Sequence, residues 1–396
     1  MSGLDALLAL AEKFTTAETI TVHPERCLNA RFRLRHCTLC ADACPTDAIR
    51  VTGGTPSLNP NDCVHCGVCL HHCPTEAFTR TDSLPAKLVQ TAAALPHQPV
   101  DLLCPRHPTP DRGPAAQAIQ THRCLAGLSP ATLVELAVQG PEIWLDDTPC
   151  AACPLGAVHP VLQETVAQAN GWAALLARAR PIRLRTEERP EAETARARSV
   201  YDATQPPLPR RGLLGIFKKA GQEITAADEK IEMIRVGKDI PVTERLPQAL
   251  PPQRKKLLDL LQQAAPPAEV AAHPLPIADI SIDPARCTAC GLCARFCPTA
   301  ALKFLSDGSE FALALQPALC LGERCGICLP ACPEDALTLR PAQSSAAVLR
   351  RKPLILGRLG RCARCEEPIA VGEGLPDTCF ACRPRNAGDL IKSLVR

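Results

Sequence analysis

Apolar residues recur at Leu4, Leu7, Leu8, Ala11 and Phe14. That spacing predicts an amphipathic helix within residues 1–19. Between residues 84 and 185 the pattern changes. Short apolar runs at Val100–Leu103, Ala118–Arg123 and Glu142–Leu145 read as strands. Ser129-Pro130 opens a helix through Val138, because Ser caps free N–H groups and Pro suits the first turn. Gly140 closes it. A second helix is predicted from about Val161 to Arg178. Strands alternating with helices predict a small α/β unit with a parallel sheet, residues 84–185. Residues 186–272 are charged, punctuated by Pro and free of cysteine. They predict a linker with surface helices near Leu213–Ala220 and Arg254–Gln263. No apolar run approaches the ~18 residues of a membrane span, and a signal peptide is not expected at the N-terminus.

Cysteine changes this picture. The 396 residues include 24 Cys, and only 3% are aromatic. So few aromatics predict several small units held by metal rather than one large core. The cysteines fall in tight C-x2-C groups, which favours metal over a disulfide framework, and reduced thiolates fit the cytoplasm. A net charge of +3 gives no support to a nucleic-acid partner, which needs a concentrated basic face.

Four blocks repeat one pattern. Each opens with Pro three residues before a cysteine and ends in Cys-Pro, with two residues and then Ala and an apolar residue after the Pro. Two blocks read C-x2-C-x2-C-x3-C-P: Cys63, Cys66, Cys69, Cys73 and Cys287, Cys290, Cys293, Cys297. Two stretch the first gap: Cys27-x9-Cys37-x2-Cys40-x3-Cys44 and Cys320-x4-Cys325-x2-Cys328-x3-Cys332. Closed zinc sites use pairs of pairs instead of three-plus-one runs of this kind. Residues 20–80 and 273–342 each resemble the bacterial two-cluster ferredoxin. In that family the fourth cysteine of each run ligates the other run's cluster. The resemblance therefore implies four 4Fe–4S clusters. In the first pair, one lies on Cys27, Cys37, Cys40 and Cys73 and the other on Cys63, Cys66, Cys69 and Cys44. In the second pair, one lies on Cys287, Cys290, Cys293 and Cys332 and the other on Cys320, Cys325, Cys328 and Cys297. The long gap after Cys27 carries Arg31, Arg33, Arg35 and His36. Such a loop either docks an acidic partner, raises the potential of its own cluster or is simply solvated.

Cys104, Cys124, Cys150 and Cys153 each follow a predicted strand. In an open parallel sheet the carboxyl ends face one crevice, so the four can converge on one metal. The stretch Cys124-Leu125-Ala126-Gly127-Leu128-Ser129-Pro130, with the helix, strand and cysteine pair that follow, resembles the small iron–sulfur subunit of hydrogenases that serve heterodisulfide reductase. That resemblance implies a 2Fe–2S cluster. The alternatives are another metal centre, or a dithiol–disulfide at Cys150-Ala151-Ala152-Cys153. His107, His122 and His159 lie nearby in sequence and read as surface or capping residues. Residues 343–357 read as a connection to a tail, 358–396, that carries Cys362-x2-Cys365-x13-Cys379-x2-Cys382. Four thiolates in two knuckles suit zinc, or a single iron as in rubredoxin. The tail is expected to fold with zinc and independently of the ferredoxin units.

The expected fold class is α+β multidomain: two ferredoxin-like dicluster domains, a small α/β cysteine domain between them and a zinc-ribbon-like tail. The chain has no G-x-G-x-x-G and no P-loop. The expected function is an iron–sulfur electron-transfer protein serving a redox partner such as a hydrogenase, reductase or dehydrogenase. The alternatives are an enzyme subunit that reduces a disulfide or sulfur substrate at the central cysteines, and a redox sensor or assembly factor.

Overall fold

The computed structural model describes residues 20–81, 83–96, 98–187, 195–207, 246–263 and 273–383. The expected helices within 1–19 and at Leu213–Ala220 lie outside these residues. The described residues form two compact units: 20–30, 38–207 and 252–263 in the first, 31–37, 246–251 and 273–383 in the second. Among them no helix is long and apolar enough to cross a membrane. The fold is mixed α and β, with several small sheets.

In the first unit, Ile20–Val22 pairs antiparallel with Phe78–Arg80, and Ile49–Thr52 pairs with Thr55–Leu58. The hairpin between the latter two turns on Gly53 and Gly54, at φ of 62° and 81°. A two-residue turn that follows the twist of its strands needs positive φ at both central positions, and glycine has it without strain.

The same unit contains a five-stranded, all-parallel sheet built from β1 (Val100–Leu103), β2 (Gln117–Gln120), β3 (Ile143–Leu145), β4 (Arg183–Leu184) and β5 (Ser199–Asp202), in the order β5-β2-β1-β3-β4. Its central strands are buried at almost every position, the pattern of a parallel sheet covered on both faces. Four helices accompany it: α1 (Leu84–Ala94), α2 (Pro130–Gln139), α3 (His159–Ala173) and α4 (Pro252–Gln263). The Ser129 hydroxyl accepts the Thr132 N–H at 3.2 Å, as its position at the start of α2 predicts. Trp172 of α3 is fully buried.

Two parts of the supposed linker belong to this unit. β5 forms an edge of the sheet, and α4 buries Leu257, Leu258 and Leu261. A buried ion triad ties in the edge strand. Asp101 on β1 accepts from Arg185 Nε and Nη2 at 2.9 and 2.6 Å, and from Arg198 Nη1 at 2.5 Å. Arg185 follows β4 and Arg198 precedes β5, so one carboxylate holds the chain on both sides of residues 188–194.

In the second unit, Pro274–Ile282 pairs antiparallel with Leu337–Gln343. A four-stranded antiparallel sheet runs Leu302–Ser306, Glu310–Leu315, Lys352–Arg361, Pro368–Val371. Lys352–Arg361 leads out of the supposed connection and pairs on both sides. The tail therefore continues the sheet of the second ferredoxin hairpin. The Ala370 N–H donates to Thr288 O at 3.0 Å, and Ala370 packs with Ala289 and Phe311.

Candidate metal centres and the cysteine cavity

All four Cys-Pro turns share one backbone. The third residue after each cysteine, Asp47, Glu76, Ala300 and Asp335, has φ between 47° and 54°. Left-handed geometry is uncommon for residues with a Cβ, and its recurrence at one position in four blocks makes the repeat structural. The turn aims polar hydrogens at sulfur. The Ala77 and Ala336 N–H groups donate to Sγ of Cys73 and Cys332 at 3.4 Å. The hydroxyls of Thr46, Thr75 and Thr299 lie 3.6–3.8 Å from Sγ of Cys44, Cys73 and Cys297.

The electrostatics group the sulfurs across blocks. Burial pushes the Cys69 thiol up to about 12, with Cys66, Cys63 and Cys44 raising it further. Burial likewise raises Cys293 to about 12, reinforced by Cys290, Cys332 and Cys287. Cys325 rises to about 12 by burial, with Cys297 and Cys320 adding to it, and Cys328 rises further for the same reasons. Cys44 lines one cavity with Cys63, Cys66 and Cys69, Cys332 lines another with Cys287, Cys290 and Cys293, and the charge of Cys297 acts on Cys325 and Cys328. Cys40, Cys44, Cys69 and Cys73 share one apolar cluster with Phe78. Cys27 is buried, and Cys37 belongs to the segment that clusters with the second unit.

Cys104, Cys124, Cys150 and Cys153 line one cavity of about 500 Å³ beyond the carboxyl ends of β1, β2 and β3. Cys104 directly follows β1, Cys124 follows β2, and Cys150 and Cys153 sit on a short turn after β3. These are the three central strands, where a parallel sheet opens its crevice. Burial pushes Cys124 up to about 11 and Cys150 to about 12, and all six pairs among the four sulfurs repel one another. Cys66 also lines this cavity, and its charge adds to the rise at Cys124. Gly127 explains the approach: a Cβ there would meet Cys66 O at 2.3 Å, so only glycine admits that contact. His71 Nε2 and Ala126 O, 2.8 Å apart, join the same two segments.

Sequence reasoning left the histidines without partners, and the structure supplies them. His107 Nε2 lies 3.0 Å from Asp146 Oδ2, and its Nδ1 accepts the Thr109 N–H at 3.3 Å. His159 Nε2 meets the fully buried Asp147 at 2.8 Å. His122 pairs with Asp202 at the surface. With both nitrogens engaged, His107 has no lone pair for a metal. The signal for the His107 and His159 pairs was the Asp146-Asp147 step just after β3, which pattern reading passes over.

The tail differs in scale. Cys362, Cys365, Cys379 and Cys382 bring their sulfurs within 4.8 Å of one another. Backbone N–H groups of Cys379 and Arg364 stabilise the Cys362 thiolate and hold its pKa down to about 6. Four bonds of about 2.3 Å to one ion fit this spacing. Among the described residues no other three ligand atoms are so close. The other sulfur groups are too widely spread for a single ion, whereas a cube offers each thiolate its own iron. A set of raised, mutually repelling thiols is also the donor set that a cation relieves. The residues of the two ferredoxin cavities and of the central cavity therefore fit clusters, and those of the tail fit one ion.

Residues 33–77 match the 4Fe-4S dicluster domain family, and residues 280–303 match the 4Fe-4S binding domain family. The chain carries two 4Fe–4S ferredoxin-type domains, one near each end. Comparison with curated proteins and with solved structures finds no match to the chain.

Proposed function

We propose that the chain is an iron–sulfur electron-transfer protein that relays electrons through four 4Fe–4S clusters and a fifth centre in the central cavity, to or from a partner oxidoreductase. The ligands are the four crossed sets of ferredoxin cysteines, then Cys104, Cys124, Cys150 and Cys153 for the fifth centre; Cys362, Cys365, Cys379 and Cys382 hold zinc. When bound, each cluster takes up and releases one electron without breaking covalent bonds in the protein.

The observation that carries this reading is Cys66. It belongs to a ferredoxin block and also lines the central cavity. The Gly127 contact seats that block against the turn after Cys124, so two electron-accepting sites share a wall. The chain's own groups do the rest. Buried thiols give up their protons only to metal. Thr hydroxyls and backbone N–H groups face the sulfurs and stabilise added negative charge. Val64, Leu125, Ala126 and Val158 give the cavity apolar lining.

EPR of the anaerobically reduced protein tests the relay. Cys124→Ser should change the relaxation of the signal from the cluster on Cys44, Cys63, Cys66 and Cys69. Unchanged relaxation would sink the shared-wall reading. The size of the cavity favours a second reading, reduction of a small disulfide or sulfur compound there. Oxidation of the prereduced protein by a small organic disulfide, two electrons per disulfide, would move the assignment to it.

A further inference from the structure

The nine residues between Cys27 and Cys37 put their positive charge inside the second unit. Arg35 Nε donates to Cys325 O at 2.6 Å, and its Nη2 donates to Arg324 O at 3.1 Å. Arg31 Nη2 donates to Pro247 O. Phe32 packs edge-on against Phe296, with ring centroids 4.9 Å apart and planes at 71°; Phe296 directly precedes Cys297. The strand of chain that receives Arg31 is itself fixed over the Cys297 turn. Gln248 Nε2 donates to Ala294 O and Cys297 O at 2.8 and 2.9 Å, and the Ala249 N–H donates to Pro298 O at 2.9 Å. Arg33 and His36 are exposed, as is Leu34 at 57%.

The second Arg31 nitrogen, Nη1, is buried and has no hydrogen-bond partner among protein atoms. A buried guanidinium N–H without an acceptor is costly. Burial pushes the Arg31 pKa down, and the charges of Cys297 and Cys325 oppose that shift. Both sulfurs whose charges act on Arg31 belong to one set, Cys297, Cys320, Cys325 and Cys328.

We infer that Arg31 is a potential-setting residue for the cluster on Cys297, Cys320, Cys325 and Cys328, with Nη1 donating to that cluster's sulfur and Phe32 and Arg35 holding the loop in place. The inference rests on the reading that these four cysteines hold a cluster. A fixed positive charge and an N–H donor stabilise the reduced, more negative state, so they raise the reduction potential. Arg31 is then a positioning residue of a cluster remote from it in sequence, and the loop does not serve as a docking patch through this side chain.

The test is potentiometric EPR on the full-length anaerobic protein. Cys325→Ser first identifies the cluster by the signal it abolishes. Full retention of every signal and of all iron in Cys325→Ser would overturn the underlying cluster reading and not the role of Arg31 alone. Arg31→Gln is expected to keep its iron and acid-labile sulfide. At a fixed ambient potential it should lower the reduced-to-oxidised ratio of that one cluster at least tenfold, about 59 mV for a one-electron couple. Arg33→Gln should leave all ratios unchanged, and Arg31→Lys, which keeps the charge, should stay within threefold of the parent. Unchanged ratios in a fully loaded Arg31→Gln protein would overturn the inference. If Arg31→Gln loses the cluster, Arg31→Lys decides: a restored cluster at the parent ratio supports it, and a restored cluster with the tenfold loss refutes it.

Discussion

Replacing Glu76 with Gln is expected to flatten the pH dependence of stability of the first unit. Glu76 lies on the left-handed turn after Cys73, and its side chain is buried. Burial pushes its carboxyl pKa from 4.5 up to about 7, although the Gln253 N–H and the charges of Arg26 and Arg254 pull the other way. The Gln253 N–H reaches both carboxylate oxygens, at 3.0 and 3.2 Å. A carboxyl that is harder to ionise in the folded chain binds more protons there than in the unfolded chain. Stability must therefore fall as pH rises from the unfolded pKa through the folded one, and then level off. At ~1.36 kcal/mol per pKa unit, the full loss is roughly 3 kcal/mol, of which about 2 kcal/mol falls between pH 5.5 and pH 8.5. The substituted amide has no charge to desolvate and keeps an acceptor for the Gln253 N–H. Both tryptophans of the chain, Trp144 and Trp172, lie in this unit. Their fluorescence in anaerobic urea titrations reports its unfolding. The parent should lose about 2 kcal/mol between those pH values, and Glu76→Gln should lose less than half of that. An equal loss in both proteins would refute the reasoning.

Three further outcomes follow from particular contacts. Cys44→Ala should abolish the cluster bound by Cys63, Cys66 and Cys69 and spare the one bound by its own block, so EPR should show one signal lost and the iron content reduced by about four atoms; loss of its own block's signal alone would refute crossed ligation. Asp101→Ala leaves the Arg185 and Arg198 guanidiniums buried without their carboxylate and should cost about 3–5 kcal/mol in urea titrations; a cost below about 1 kcal/mol would show that the triad does not hold β4 and β5. Zinc binding to chelator-treated protein at pH 7.5 should release fewer than four protons per zinc, because Cys362 is already a thiolate above about pH 6 whereas hydrogen bonding to the Cys365 and Cys379 sulfurs keeps Cys382 protonated; release of four would contradict the Cys362 assignment.

What was legible in the sequence was what local chemistry dictates. The Cys-Pro runs stand at the spacing that cubes demand, and the positive φ at Asp47, Glu76, Ala300 and Asp335 gives that repeat a physical form. Strands β1 to β3 and helix α2 were legible because apolar runs end at a capping Ser129 or a stopping Gly140. β4 and β5 were not. They are two and four residues long, flanked by Arg, and stay in the sheet through Asp101, whose partners lie 84 and 97 positions away. The same holds for the tail. Residues 343–357 read as a connection, and it is the pairing of Lys352–Arg361 with Glu310–Leu315 and Pro368–Val371 that makes a strand there. The destination of Arg31 was equally hidden, since nothing near it in sequence indicates Pro247 or Cys325.

The central claim is that the chain binds cubane clusters on crossed sets of ferredoxin cysteines. Iron and acid-labile sulfide measured on anaerobically purified full-length protein test it most directly. The account predicts about sixteen iron atoms with matching sulfide from the four ferredoxin sets, plus whatever the central cavity adds, and about one zinc. Protein that is folded and loaded with zinc alone, without sulfide, would contradict it.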